Sequence, residues 1–398
     1  MPVIEVEGLT KIFGKNVRQA QRLVDEGASK DEVLEETGCT VAVNNASFTV
    51  EKGEFFVIMG LSGSGKSTLI RLVNRLIEPT KGMIKVDGKD ISNLDKDALR
   101  EVRRRKMSMV FQSFALFPHR TVLQNAEFGL EIQKINKIER KKRALEALEL
   151  VGLDGYSHQY PDQLSGGMQQ RVGLARGLTN DPEVLLMDEA FSALDPLIRK
   201  DMQDEMIDLQ TKMQKTVLFI THDLDEALRL GDRIALMRDG EIVQVGTPEE
   251  ILTNPANDYV EKFVEDVDRS KVLTAGHIMK RPETVSVERH GPRAAMERMR
   301  SEGLSSILVV DKNRHLLGYV TADDVHEARQ NGVDSLEGLI RTDIKRVEKD
   351  TPMNDIFTLI HNTPVPIAVI EDERLVGILV RGAVLAGLAN EGSVNTDE

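Results

Sequence analysis

At 398 residues the chain is long enough for two or more domains, because a single hydrophobic core rarely grows beyond about 250–300 residues. Its 52 basic and 65 acidic residues give a formal net charge of −13, a sign that opposes binding to nucleic acid or to anionic surfaces. The one cysteine, Cys39, excludes an internal disulfide, and the sequence contains neither a secretion signal nor an apolar run of the roughly 18–20 residues that span a bilayer. We therefore expect a cytoplasmic protein without a nucleic-acid partner, in which other chains do any membrane crossing.

The first 50 residues predict short strands separated by an insertion. Residues 3–8 alternate between apolar and acidic side chains, as in a half-exposed strand, and further strands are predicted at 41–43 and 46–50. Residues 16–38 interrupt this pattern with apolar side chains at helical spacing, and they include Ser29-x-x-Glu32, a capping box. We expect a small helical insertion between two strands.

A glycine-rich loop follows the apolar run 55–59 and precedes a helical pattern at 69–76. Its glycines let successive backbone N–H groups converge on phosphate oxygens at a helix N-terminus. In such a loop the lysine reaches the β and γ phosphates, and the serine after it ligates Mg²⁺. A chance glycine-rich turn is the alternative, but the spacing, the strand and the helix are all present. The nucleotide-binding residues predicted here are Gly60, Ser62, Gly63, Ser64, Gly65, Lys66, Ser67 and Thr68.

The central region alternates predicted strands with predicted helices, which indicates a parallel α/β sheet with crossover helices over residues 55–240. A polar segment at 97–106 ends in four consecutive basic residues, 103–106. The predicted strands lie at 82–86, 107–111, 184–189 and 216–220, and the predicted helices lie within 122–151, from 164–168 onward, and at 196–214.

An internal repeat lies near the C-terminus. A shift of 60 residues aligns, for example, Val287 with Val347. Each unit is predicted as strand, helix, strand, turn, strand and helix, and neither unit closes a core alone, so we expect the two to pack as one module. The predicted ranges are 263–271 for a linker, about 272–330 and 338–390 for the repeats, and 391–398 for an acidic tail.

Hydrolysis of a γ-phosphate requires a metal ion, charge neutralisation and an oriented water. Ser67 and Asp188 would hold Mg²⁺, and Lys66 would neutralise phosphate charge. Glu189 would polarise the attacking water, and His222 would contact the γ-phosphate. A single Gln or His is more often structural, but the joint order of these residues after successive strands favours a site. The predicted catalytic residues are Glu189, His222, Gln112 and Lys66, and the predicted metal ligands are Ser67, Gln112 and Asp188.

These residues, with the helix start at 164–168, resemble the nucleotide-binding subunit of an ABC transporter over residues 1–262. The resemblance implies an α/β P-loop NTPase domain with a mostly parallel sheet and a helical subdomain, using ATP and Mg²⁺. It also implies a homodimer, in which the signature loop of one copy contacts the γ-phosphate held by the other. Met168 departs from the commoner glutamine, and we expect little consequence. The resemblance adds to the nucleotide site Phe13, Ser165, Gly166, Gly167 and Asp195.

The helical insertion, the sequence 114–120 and the C-terminal repeat resemble the ATPase of glycine betaine uptake systems more than ATPases for sugar, phosphate or peptide. This implies ATP-driven import of a compatible solute at the cytoplasmic face of the membrane, through integral-membrane permease subunits fed by a substrate-binding protein. Carnitine, choline, proline betaine and ectoine stay open as solutes. The rivals from other classes are a nucleotide-sensing regulator and a soluble ABC ATPase acting on DNA or ribosomes.

Residues 272–390 resemble a pair of CBS domains, an α+β module that in many proteins binds adenine nucleotides. Gly318, Thr321 and Asp324 match the ribose-contacting pattern of such domains, whereas 377–383 lacks the threonine and the aspartate. In relatives of this transporter the CBS pair binds cyclic di-AMP and stops transport, and we expect the same regulation here. A purely structural dimerisation module is the alternative.

Two further hypotheses concern surfaces. If the basic run 103–106 faces an anionic leaflet, about 1 kcal/mol per charge gives roughly 4 kcal/mol at low salt. Rising salt would screen that attraction and act as an ionic-strength switch, the alternative being a solvated helix face. Separately, Phe111, Phe114 and Phe117 are either core or an apolar groove beside Gln112 that receives a short helix of the membrane subunit.

Overall fold

The computed structural model describes residues 2–112, 115–192, 194–265, 267, 272–360, 363 and 365–388. The chain divides into two compact units, Met1–Val264 and Glu265–Glu398. Most of the predicted linker, the whole of the predicted acidic tail and the aromatic residue Phe114 lie outside the described residues. Within the described ranges, no helix is long and apolar enough to cross a bilayer.

The first unit begins with a four-stranded antiparallel sheet of order β2-β1-β4-β5. Its strands are β1 (Pro2–Phe13), β2 (Thr40–Glu51), β4 (Lys81–Val86) and β5 (Lys89–Asp90). The predicted helical insertion consists of α1 (Val17–Asp25) and α2 (Lys30–Thr37), and the Ser29–Glu32 capping box is present. The prediction of two strands between 41 and 50 was wrong, because β2 is continuous. The pairing of β1 with β2 shifts register near Asn45, which has a positive φ of 48°. The Asn45 N–H donates to the Thr10 hydroxyl (3.0 Å) instead of to the backbone, so the two strands stay paired on both sides of this bulge.

A six-stranded sheet of order β10-β9-β3-β8-β7-β6 forms the centre of the first unit. All of its neighbouring pairs are parallel except β9 with β10, as the predicted mostly parallel sheet requires. Every residue of β3, β7 and β8 is buried, which explains their unbroken apolar sequences. The strands are β3 (Phe55–Met59), β6 (Met107–Val110), β7 (Val184–Asp188), β8 (Thr216–Thr221), β9 (Arg233–Arg238) and β10 (Glu241–Gly246).

The helices of the first unit other than α1 and α2 fall into two groups. Those that accompany the sheets are α3 (Lys66–Val73), α4 (Lys96–Arg105), α9 (Pro196–Met213), α10 (Leu224–Leu230), α11 (Pro248–Thr253) and α12 (Asp258–Val264). A helical subdomain is formed by α5 (Val122–Ala126), α6 (Phe128–Ile132), α7 (Lys137–Leu150) and α8 (Gly166–Leu178). The core shared by the two sheets includes the stacked rings of Phe48 and Phe56, whose centroids lie 5.3 Å apart.

The second unit contains two three-stranded sheets, one in each repeat. In each sheet the first pair of strands is parallel and the second pair is antiparallel. The first repeat has α13 (Ala275–Ile278), β11 (Thr284–Ser286), α14 (Pro292–Ser301), β12 (Ser306–Val310), β13 (Leu316–Thr321) and α15 (Ala322–Gln330). The second has β14 (Arg346–Glu348), α16 (Met353–Ile360), β15 (Ile367–Glu371), β16 (Arg374–Leu379) and α17 (Arg381–Leu388).

One apolar cluster joins the two repeats. It includes Leu308 and Tyr319 from the first repeat with Ala368 and Ile370 from the second, and all four are buried. Burial of these side chains requires both repeats, since each sheet contributes only part of the cluster. The prediction that the repeats pack as one module is therefore confirmed.

Candidate functional site

The glycine loop lies at the carboxyl end of the central strand β3 and leads directly into α3. Gly65, the residue before α3, has φ 103°. A Cβ atom on Gly65 would lie 2.2 Å from the Ala42 carbonyl oxygen, and one on Gly60 would lie 2.1 Å from the Met237 carbonyl oxygen. The loop is thus wedged between two strands with no space for side chains at these positions, and the free N–H groups of the α3 terminus form an anion-binding site.

Lys66 lies inside the loop rather than in solvent. Its Nζ donates to the carbonyl oxygens of Gly60 (2.7 Å) and Leu61 (3.0 Å), and only 4% of the residue is exposed. Burial lowers the pKa of Lys66, while the nearby carboxylates of Glu189 and Asp188 act to raise it. The ammonium group is therefore fixed where it can neutralise phosphate charge.

Ser67 and Asp188 meet as predicted for a pair of metal ligands. The Ser67 hydroxyl donates to Asp188 Oδ1 (2.9 Å), and Asp188 is buried at the end of β7. Within the part of the chain that the structure describes, no group of three or more His, Cys, Asp or Glu side chains could hold a metal ion. A hydroxyl and one carboxylate fit Mg²⁺, which takes few protein ligands and completes its shell with phosphate oxygens and water.

Three predicted residues converge beside this pair, each following a neighbouring strand of the sheet. Gln112 Nε2 donates to Glu189 Oε2 (3.0 Å), and His222 Nδ1 lies 3.5 Å from Glu189 Oε1. Glu189 has a positive φ of 46°, and its N–H donates to the Ile220 carbonyl oxygen (3.0 Å). This backbone conformation is uncommon for a non-glycine residue and occurs often at functional sites. The carboxyl ends of parallel strands thus assemble Gln112, Glu189 and His222 at one edge.

The signature residues form the start of α8. The Ser165 hydroxyl accepts from the Met168 N–H (3.3 Å), and Gly166 is the first helical residue. A Cβ atom on Gly167 would lie 2.5 Å from Ile198 Cγ2, so α8 and α9 approach closely. Within the described residues, Asp195 forms no hydrogen bond with the glycine loop; it caps α9 by accepting from the Ile198 N–H (3.1 Å).

The remaining predicted nucleotide contacts differ in exposure. Phe13 lies at the end of β1, is 41% exposed, and has Lys11 Nζ 4.9 Å from its ring centroid. Ser62 is exposed, Thr68 is half-buried and Ser64 is buried. The exposed Phe13 ring leaves a face to which a base could stack.

The predicted regulatory residues lie together at the junction of β13 and α15. The Thr321 hydroxyl accepts from the Asp324 N–H (3.2 Å), and Asp324 receives two hydrogen bonds from Arg341, of 2.8 and 2.7 Å. The Arg341 side chain holds the pKa of Asp324 below its ordinary value. A Cβ atom on Gly318 would lie 2.2 Å from the Arg341 carbonyl oxygen. Any ligand that binds Asp324 must therefore compete with Arg341.

Two side chains to which the sequence analysis assigned no role also contact the site. Arg71 Nη2 lies 3.4 Å from Asp188 Oδ2, and Ser192 Oγ accepts from Gln112 Nε2 (3.3 Å). Arg71 follows Ser67 by four residues on one helix, a spacing that places both on the same face. The spacing could therefore have predicted that Arg71 lies near the site. The contact between Ser192 and Gln112 could not be predicted in this way, because it depends on tertiary packing.

The loop, the carboxylates at the carboxyl end of β7 and the parallel sheet define a P-loop NTPase. The ABC transporter family profile matches residues 43–192, and the CBS domain profile matches 275–331 and 336–390. A solved dimeric bacterial ABC transporter cassette is 35% identical, with a TM-score of 0.52, covering 62% of this chain and 98% of that one. The structure of cbiO1 from Clostridium perfringens is 26% identical, with a TM-score of 0.54, covering 66% and 94%.

Full-length relatives extend this similarity. The glycine betaine/carnitine transport ATP-binding protein GbuA of Listeria monocytogenes is 61% identical over 396 residues, 99% of this chain and 100% of the relative. The glycine betaine transport ATP-binding protein OpuAA of Bacillus subtilis is 60% identical, covering 99% and 94%. ProV of Escherichia coli, a glycine betaine/proline betaine transport system ATP-binding protein, is 50% identical, covering 98% and 99%. The chain belongs to the ABC transporter ATP-binding proteins that carry C-terminal tandem CBS domains, and it is an ATP-hydrolysing transport ATPase.

Proposed function

We propose that the chain hydrolyses ATP to drive import of a quaternary-ammonium compatible solute, most directly glycine betaine. The observation that carries this proposal is the identity of 60–61%, over 99% of the chain, to two ATP-binding proteins named for glycine betaine transport. Carnitine, choline and proline betaine are the alternatives within the same class. In this scheme the chain binds integral-membrane permease subunits at the cytoplasmic face of the membrane, and a substrate-binding protein delivers the solute.

The contacts of the site support a role for each residue in hydrolysis. Lys66 would neutralise charge on the β and γ phosphates, and Ser67 with Asp188 would hold Mg²⁺, which would supply charge stabilisation at the phosphate oxygens. Glu189 orients and polarises the attacking water. Gln112 donates to the Glu189 carboxylate and His222 flanks it, so both restrict its orientation.

Glu189→Gln is the most direct test of this assignment. The amide keeps the side-chain volume but is a far poorer acceptor for the water proton, so hydrolysis should fall by about 10³, or roughly 4 kcal/mol, while ATP binding persists. Glu183→Gln changes the residue before β7, whereas Glu189 follows that strand, so it is the matched control and should hydrolyse ATP normally. Near-normal turnover of Glu189→Gln would remove Glu189 from its role.

We also propose that the catalytic unit is a homodimer. Ser165, with the N–H groups of Gly166 and Gly167, forms a second helix-terminal anion site, yet the Ser165 side chain is bonded within its own turn. In the proposed dimer it contacts the γ-phosphate held by the loop of the other copy. Hydrolysis per chain should then rise with protein concentration, and a concentration-independent rate from a monomer would contradict the dimer.

An apolar cavity of about 280 Å³ supports docking of the membrane subunit. It lies between β6 and the helical subdomain, where Phe111 and Phe128 line it together with Arg103 and Arg176. Phe117 does not line the cavity; it packs on Phe128, with ring centroids 4.6 Å apart. We therefore assign the predicted groove to Phe111 rather than to Phe117.

Reconstitution separates docking from core packing. The full chain is assembled in liposomes with its permease and binding subunits, and uptake of glycine betaine, carnitine and choline is measured per ATP hydrolysed. Phe111→Ala should lower uptake per ATP while ATP binding persists, and Phe117→Ala should change stability without lowering that ratio. Equal loss of ATP binding and uptake in Phe111→Ala would favour the core alternative.

Regulation by cyclic di-AMP at the second unit is part of the proposal. Thr321 and Asp324 lie together at the start of α15, where an aspartate can bind ribose hydroxyls once it separates from Arg341. Calorimetric titration of the full chain with cyclic di-AMP should show binding that Asp324→Ala weakens and Asp323→Ala, the adjacent exposed control, leaves unchanged. No binding to the unmodified chain would reject this ligand.

Ionic-strength gating by residues 103–106 stays a prediction, but fewer than four of these basic side chains are available to an anionic membrane. Arg103 donates to the carbonyl oxygens of Asn74 and Arg75, and Lys106 pairs with Asp87 (2.9 Å) and with Glu183. Arg104 and Arg105 are the exposed members of the run. Equal salt dependence of transport in anionic and neutral vesicles would reject the switch.

A further inference from the structure

The guanidinium group of Arg199, in the first turn of α9, contacts two loops of the site at once. Its Nη2 donates to the carbonyl oxygens of Leu194 (3.1 Å) and Ser192 (3.5 Å). Its Nη1 lies 3.5 Å from Asp223 Oδ2, in a pair that is about one-third exposed. One planar group therefore spans the loop after Glu189 and the residue after His222.

On one side, this contact reaches the Glu189 loop through Ser192. The Ser192 hydroxyl donates to the Glu189 carbonyl oxygen (2.9 Å) and accepts from Gln112 Nε2 (3.3 Å). Displacement of the Ser192 backbone would therefore shift Glu189 and Gln112, on which the proposed orientation of the attacking water depends.

On the other side, the contact reaches His222 through Asp223. The Asp223 N–H donates to the Thr221 hydroxyl (3.0 Å), and Asp223 Oδ1 accepts from the Glu226 N–H (3.1 Å). The hydroxyl of Thr221 in turn donates to the buried Glu226 carboxylate. Asp223 is thus fixed within its own turn while its second oxygen faces Arg199, and His222 lies between two restrained residues.

We propose that Arg199 is a positioning residue that, with Asp223, sets the distance between His222 and Glu189. This inference rests on the proposed roles of those two residues in hydrolysis. A planar guanidinium, whose donors are held in a fixed geometry, maintains the spacing between two loops better than an ammonium on a flexible chain. A displacement of about 1 Å at a reacting centre costs up to about 10²-fold in rate, so loss of Arg199 should slow hydrolysis without preventing ATP binding.

Single-turnover hydrolysis by the full chain tests the proposal in two backgrounds. Arg199→Ala and Arg199→Lys should lower the rate by about 10- to 100-fold while the Kd for ATP changes by less than about twofold, and Asp223→Asn should show a smaller loss. In a His222→Ala background, Arg199→Ala should cost clearly less than it does in the unmodified chain, because the distance between His222 and Glu189 no longer matters and only the effect on the Ser192 loop remains.

The matched control is Glu205→Gln, which breaks another α9 ion pair, with Arg171 at 2.5 Å, and should hydrolyse ATP normally. If Arg199→Ala fails to fold, Arg199→Lys and Asp223→Asn carry the same test. An equal loss in both backgrounds, or a parallel loss of ATP affinity, would overturn the positioning role. Normal turnover of His222→Ala alone would instead reject the proposed role of His222.

Discussion

Gly65→Ala and Gly63→Ala distinguish two reasons for glycine in the loop, namely a positive φ and the lack of space for a side chain. Both residues have positive φ values, 103° and 83°. A Cβ atom on Gly65 would lie 2.2 Å from the Ala42 carbonyl oxygen, whereas one on Gly63 would have no heavy atom within 4 Å. Gly63→Ala therefore measures backbone strain alone, and Gly65→Ala measures strain plus a steric clash.

The expected magnitudes follow from these distances. A left-handed conformation costs an alanine about 1–2 kcal/mol, which is the full effect expected for Gly63→Ala. At position 65 the loop and β2 must also separate by about 1.2 Å, the gap between 2.2 Å and an ordinary contact of 3.4 Å. Overpacking of this kind costs about 1–3 kcal/mol more, so Gly65→Ala should lose about 2–5 kcal/mol.

Calorimetry of the full chain is the suitable assay, because the sequence has no tryptophan to report unfolding by fluorescence. At about 2 °C per kcal/mol for a unit of this size, Tm should fall by about 2–4 °C for Gly63→Ala and by about 4–10 °C for Gly65→Ala. ATP affinity should fall further for Gly65→Ala, since its strain displaces the helix terminus that binds phosphate. Equal losses of Tm for the two variants would refute the account of a loop wedged between strands.

Three other perturbations have defined outcomes. Ser165→Ala should lower hydrolysis strongly but reduce stability by only about 1 kcal/mol, the usual contribution of an N-cap residue. The control Asp95→Ala removes the N-cap of α4, so it should reduce stability by a similar amount and leave hydrolysis intact. Burial raises the pKa of Glu226, so the folded state binds more protons than the unfolded state and stability should fall as pH rises above about 4.5. Glu226→Gln should remove this dependence of stability on pH, measured by denaturant titrations at several pH values. An unchanged dependence would exclude Glu226 as its source. Arg341→Ala should return the pKa of Asp324 toward its ordinary value near 3.8, as seen by NMR titration, with little loss of stability because the pair is partly exposed. An unchanged pKa would contradict control by Arg341.

Much of the ATP site was predictable because its parts are local or follow from strand direction. The loop at 60–67 is a contiguous motif, so its conformation depends on few distant residues. Gln112, Glu189 and His222 are far apart in sequence, yet each follows an apolar strand, and parallel strands place their carboxyl ends at one edge. Their convergence on Glu189 agrees with that prediction.

Hydrophobic periodicity and glycine spacing were enough to predict the fold class, the order of elements, the phosphate loop and the repeat. Which side chains meet could be seen only in the folded chain: Arg341 pairs with Asp324, Arg199 pairs with Asp223, and Phe111 rather than Phe117 lines the cavity. It also decided that Arg103 and Lys106 are engaged by carbonyl and carboxylate groups instead of forming an open basic patch. This difference arises because periodicity determines which face of an element is apolar, whereas the partner of a polar side chain depends on how distant elements pack against one another.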